Sequence, residues 1–166
     1  TEGVALCSNS HTTTSGASTT TGFDNLVTTA LSATALASAR IQMVQFRGDQ
    51  AERIAIAPDE IWGPPDLYET AFEIISSMGK VDTALNNRNV HEGRYTFYEW
   101  NYLTDTNNWF VMDSGLRKQY LLWLDRIPAE FAFVEDFDRL APKWRGYSRY
   151  ANGHTDWRFI TGAQVA

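Results

Sequence analysis

The chain opens without a hydrophobic rhythm. Residues 8–22, SNSHTTTSGASTTTG, are small and polar, with no aliphatic residue larger than Ala. So little apolar surface cannot offset the entropy of ordering, which predicts an exposed loop or arm. A mucin-like linker is the functional alternative. A helical period comes next. Ala33, Leu36, Ala37, Met43 and Val44 recur on one face, Ser32 stands where a cap would, and Gly48 stands where a left-handed residue would close the helix. The expected helix spans about 32–47. RIAIA (53–57) and EIWG (60–63) read as short extended segments around Pro58. Gly63, Pro64 and Pro65 then end a strand and start a second helix, with Asp66 at the positive end of its dipole. Leu67, Ala71, Ile74, Ile75 and Met78 form its apolar stripe, Gly79 closes it, and the polar loop VDTALNNRNVHEG follows.

From Arg94 the period falls to two. RYTFYEW places Tyr95 and Phe97 on one face, with Thr96, Tyr98 and Trp100 on the other. The polar turn TDTNN (104–108) separates it from a strand at WFVMD (109–113). QYLLWLDRI fits helix or strand by pattern, and Pro128 tips it toward strand. FAFVEDF leads into KWRGYSRYANGHTDWRFITG, where Trp144 and Tyr150 share one parity and Arg145, Tyr147 and Arg149 the other. Asn152-Gly153 reads as a tight turn, with DWRFI running back. Two helices among early strands, then many strands, make an α+β pattern whose sheet-formers crowd the second half. No internal repeat is visible.

Composition sharpens this picture only locally. A chain of 166 residues predicts one domain with a real core, and six Trp, seven Tyr and nine Phe give it a high aromatic load. The net charge of −6 argues against a dedicated nucleic-acid binder. That charge is uneven: residues 143–166 sum to +3 and the rest to −9. Cys7, the only cysteine, permits no internal disulfide and no thiolate cluster, as suits a reducing compartment. No apolar run reaches the roughly 18 residues of a membrane span, and no signal peptide is visible.

The chemistry expected from motifs is thin. His11, His91 and His154 lie far apart in turn-like contexts and read as solvated. His91-Glu92 lacks the second His that a zinc protease places one turn later. Cys7 and His11 are spaced like a nucleophile and base, but in a stretch too flexible to hold them. The carboxylates Asp59/Glu60 and Glu135/Asp136/Asp138, beside tryptophans, leave a glycosidase or a carbohydrate-binding module as alternatives. No phosphate-binding glycine loop occurs, and nothing calls for a cofactor or metal. The basic aromatic tail has two readings. Trp144, Tyr147, Trp157 and Phe159 could form an exposed single-strand-binding platform. Otherwise one face of each strand is core, while the arginines lie along the solvent face or pair with carboxylates such as Glu135, Asp138 and Asp156.

VALCSNSH, TTALSATALASARIQMVQF, PDEIWGPPDLYETAFEIISS, TDTNNWFVMD and EDFDRLAPKWRGYSRY…TDWRFITG occur in that order. In this the chain resembles the C-terminal part of tailed-bacteriophage major capsid proteins of the Hong Kong 97-type fold, including those whose precursors are fused to a prohead protease. The resemblance runs from Val4 to about Gly162 and departs at Trp62 and Gly63, where two valines are usual. It implies an N-terminal arm, extended loop and spine helix preceding Thr1. It also implies an extended region over 1–30, an axial domain over 31–130 and peripheral-domain strands over 131–166. The implied role is structural and non-enzymatic: a subunit that self-assembles into an icosahedral shell around double-stranded DNA, in the virion after assembly in the host cytoplasm or as a prophage product. The implied partners are other copies in pentamers and hexamers, with portal, scaffold or decoration proteins, non-specific DNA contact and no membrane. The assembly or sheet-packing candidates are Trp109, Phe110, Trp144, Arg145, Tyr147, Arg149, Tyr150, Trp157, Arg158 and Phe159. A nucleic-acid-binding or carbohydrate-binding β-rich domain is the alternative.

Overall fold

The structure, a computed structural model, describes residues 3–80, 87–136 and 138–166. Most of the threonine-rich segment is exposed and without regular structure, as its composition predicts. Its ordering comes from polar contacts: Thr14 donates its backbone N–H (2.7 Å) and its hydroxyl (2.8 Å) to the Asp49 carboxylate. A short strand, β1 (Leu26–Val27), follows.

Helix α1 spans Ala33–Val44, and Ser32 caps it through an Oγ contact with the Ala35 N–H at 3.1 Å. Its buried stripe runs through Leu36, Ala39 and Met43 toward Phe46, whereas Val44 faces out. The expected left-handed stop at Gly48 is not used: Gln45 ends the helix in right-handed geometry. Gly48 instead lies against the Glu52 carboxylate, which folds over the place a Cβ would take.

RIAIA is extended, but it forms no ladder beyond an isolated bridge between Arg47 and Arg53. EIWG is strand β2 (Glu60–Gly63). The double proline then starts a short 3-10 turn (Pro65–Leu67) leading into α2 (Tyr68–Ser76). Ala71 and Ile74 are buried, Leu67 and Ile75 half-buried, and Met78 lies past the helix end in solvent. Asn89 closes this end in place of Gly79: its Nδ2 donates to the carbonyls of Ile74 (2.6 Å) and Ser77 (2.9 Å). Part of the expected polar loop, residues 81–86, lies outside the described residues.

Strand β3 (Thr96–Glu99) keeps the predicted parity, with Tyr95 and Phe97 turned inward. Strand β4 is Phe110–Met112, and Ile160–Ala163 returns to pair beside it. Between them lie α3 (Ser114–Tyr120) and two long strands, β5 (Leu121–Asp136) and β6 (Ala141–His154), so the returning strand is β7. The five-stranded sheet has the order β1-β7-β4-β2-β3. The β1–β7 and β2–β3 pairs are parallel, and the β2–β4 and β4–β7 pairs antiparallel. Ile61, Val111 and Thr161 share the face beneath α1 and α2. Trp62, Phe110, Met112 and Ile160 share the other face.

Helix α3 escapes the periodicity argument because it is only seven residues long. Its signal is the cap: Asp113 Oδ1 accepts from the N–H groups of Gly115 and Leu116, both at 3.0 Å.

The last third of the chain departs most from expectation. β5 and β6 pair with each other as a two-stranded sheet running from Leu121↔His154 to Asp136↔Ala141. Asn152-Gly153 is no turn: these residues lie in the ladder opposite Trp123 and Leu122. The reversal falls between Asp136 and Ala141, where Leu140 takes the left-handed conformation (φ 49°). Register shifts between Asp125 and Glu130 absorb Pro128, which has no N–H to give a ladder. Trp157–Phe159 form a turn rather than a strand pairing back on Trp144–Tyr150.

Candidate assembly surface

The hairpin is the functional candidate because almost none of it is buried. Of its two strands, Ile127, Ala132, Asp136, Ala141 and His154 are half-buried and the other described residues exposed. Residues opposite each other in a ladder share a face, so the register assigns the two faces directly. One is aromatic. Phe133 lies opposite Trp144 with ring centroids 4.7 Å apart, and Trp123 stacks on Tyr150 at 4.5 Å. Phe131 spreads over Gly146, where a Cβ would come within 3.4 Å of its ring. Trp144 is 77% and Phe131 85% exposed. The opposite face carries Lys143, Arg145, Tyr147 and Arg149 from β6, with Glu130 of β5 opposite Tyr147. Lys143 pairs with Asp136, while Arg145 and Arg149 make no ion pair among the described residues.

The candidates from the sequence therefore separate into two groups. Trp144, Arg145, Tyr147, Arg149 and Tyr150 lie on the exposed hairpin. Trp109, Trp157 and Phe159 are buried in the sheet module, and Phe110 is half-buried beside them. Trp109 donates its indole N–H to the Thr29 carbonyl at 3.0 Å. Arg158 belongs with this second group. Its Nη1 meets Asp156 Oδ2 at 2.8 Å, its Nε donates to the Arg47 carbonyl at 2.6 Å, and its guanidinium lies 4.9 Å from the Trp157 ring centroid. Among the described residues, Asp156 is thus the one expected carboxylate partner that an arginine takes up. The basic aromatic tail is not one continuous platform.

Reading KWRGYSRY alone misses Trp123, Phe131 and Phe133, which complete the aromatic face. The signal was available in the alternation of LLWLD and FAF, once paired with the even-numbered rings of the later strand.

The histidines correct a second expectation. His11 and His91 are each only 5% exposed. His11 stacks flat on Trp157 at 4.1 Å, and its Nε2 lies 3.0 Å from Asn25 Oδ1. It anchors the polar arm rather than serving Cys7. Burial pushes the Cys7 thiol up to about 12, against a weaker opposing hydrogen bond from the Gly162 backbone. A nucleophilic thiolate needs the reverse shift. Native Cys7 is expected to react with a thiol reagent at pH 8 about a hundredfold or more slower than in urea. Equal rates in the two states would contradict its placement.

The uncovered face of the sheet holds a groove of about 520 Å³ lined by Leu6, Cys7, Trp62, Phe110, Met112 and Phe159, among others. At its rim Arg117 holds Glu60 through two hydrogen bonds, of 2.9 and 3.1 Å, and lies 5.3 Å from the Trp62 ring centroid. No three His, Cys, Asp or Glu side chains gather as a metal set among the described residues. No helix there is long and apolar enough to cross a membrane.

A hairpin with two bare faces, held at its root by α3, is suited to protein contact. The phage capsid protein family profile matches residues 4–163. The chain belongs to the phage capsid protein family. No curated protein matches it. A phage capsid protein is a structural component of the virion and meets other copies of itself. The mixed α+β architecture, with three helices and two sheets among the described residues, is compatible with that role.

Proposed function

We propose that this chain is a subunit of an icosahedral bacteriophage head, self-assembling with further copies into a shell around double-stranded DNA. In this reading the architecture is of the Hong Kong 97 type. The five-stranded module serves as the axial part, grouped in pentamers and hexamers, and the β5–β6 hairpin reaches toward neighbouring subunits as the peripheral part. The carrying observation is the hairpin itself: thirteen ladder pairs long, yet exposed on both faces. Two strands alone are marginally stable in water, so this length of ladder calls for a surface to cover it. Aromatic rings and arginines are the types enriched where subunits meet. Contact with packaged DNA would be non-specific and weakened by salt.

Electron microscopy of the purified full-length protein tests this. Closed particles are expected. A stable monomer, or a tryptophan fluorescence change on adding oligosaccharide in the absence of any assembly, would overturn the reading.

A further inference from the structure

Two solvent-facing surfaces carry unpaired charge of opposite sign. On α2 and the turn before it, Asp66, Glu69 and Glu73 are exposed, and none has an ion pair among the described residues. Their spacing of three and then four residues puts them in one stripe about 10 Å long. Tyr68 (49% exposed) and Phe72 (54%) lie beside the stripe, with rings stacked at 6.2 Å. On the hairpin, Arg145 and Arg149 stand four residues apart on one face, roughly 13 Å along the strand, with Tyr147 (47% exposed) between them and Glu130 opposite that tyrosine, which leaves the arginines in excess. The spans match within the reach of an arginine side chain. Each surface also offers aromatic area beside its charges.

We propose that the Arg145–Arg149 face of the hairpin in one copy docks on the Asp66–Glu69–Glu73 face of α2 in a second copy. This rests on the capsid reading and specifies one contact within it. The two patches differ, so the contact is head-to-tail. Repetition of such a contact generates rings, or extended arrays, rather than closed pairs. Arginine against carboxylate fixes orientation and speeds encounter, while the flanking rings exclude water.

The test uses the full-length protein with Arg145→Glu/Arg149→Glu, with Glu69→Lys/Glu73→Lys, and with all four changes together. All the positions are exposed, so urea denaturation should match wild type. Each double variant should raise the concentration needed for particle formation about tenfold or more, and the fourfold variant should recover it. Double variants that assemble normally would overturn the contact while leaving the capsid reading intact. So would a fourfold variant that fails to recover. Particles of normal yield that lose only their DNA would assign the arginine face to nucleic acid, which also overturns the proposal. A wild-type protein that forms no particles sinks the capsid reading, and this inference with it.

Discussion

Trp157→Ala is expected to lower unfolding free energy by about 3–5 kcal/mol, the range for deleting a buried large aromatic side chain. The ring is 4% exposed and enclosed on several sides. His11 lies flat against it, Phe46 meets it edge-on at 5.0 Å, Phe23 packs at 6.2 Å, and Arg158 covers it. Its indole N–H meets no acceptor among the described residues, so its contribution is packing rather than hydrogen bonding. Trp157→Phe should therefore lose clearly less than Trp157→Ala. The loss is large against a typical domain stability of about 5–15 kcal/mol, so particle yield should fall as well. Urea denaturation measures it. A cost under about 1 kcal/mol would contradict the enclosed geometry.

Asn25→Ala is expected to cost about 2–4 kcal/mol, because it strands several partners at once. Asn25 is fully buried. Its Oδ1 accepts from the Ser8 N–H at 2.7 Å and lies 3.0 Å from His11 Nε2, while its Nδ2 donates to the carbonyls of Leu6 (2.8 Å) and Ile160 (3.1 Å). One amide thus ties the polar arm to β7. The isosteric Asn25→Asp gives a sharper signature. A carboxylate there would face two carbonyl oxygens in a buried place, so its folded pKa would lie above the unfolded value. The native state then binds the extra proton, and the penalty grows as pH rises from about 4 toward neutrality. Thermal unfolding at pH 4 and pH 7 should show the variant closer to wild type at the lower value. A penalty that is flat, or larger in acid, would contradict the network.

How far these features could be read from the chain depends on whether their cause is local. Ser32, the double proline and the 94–100 alternation each act within a few residues, and each appears where periodicity puts it. The pairing of β5 with β6 is also nearly local, yet Asn152-Gly153 misdirects it. A turn signal is overruled when both residues fall inside a register fixed by more than a dozen flanking pairs. Asn25 and His11 illustrate the harder case. A single Asn before a short strand, and one His among threonines, look like loop chemistry. Only contacts made with β7 and Trp157, far along the chain, bury them. The assembly candidates show the same limit. Trp144 and Trp157 stand in the same basic, aromatic context, and one is bare while the other is core. Proximity to the five-stranded sheet decides between them, and residue type does not.

The hairpin's bare rings are expected to become covered when copies meet. Hydroxyl-radical footprinting of assembled and dissociated protein reads this directly, residue by residue. Trp123, Phe131, Phe133, Trp144 and Tyr150 should label strongly in the dissociated chain and lose most of that labelling in the particle, while buried Trp109 stays low in both. Equal labelling of the hairpin rings in the two states would contradict the account.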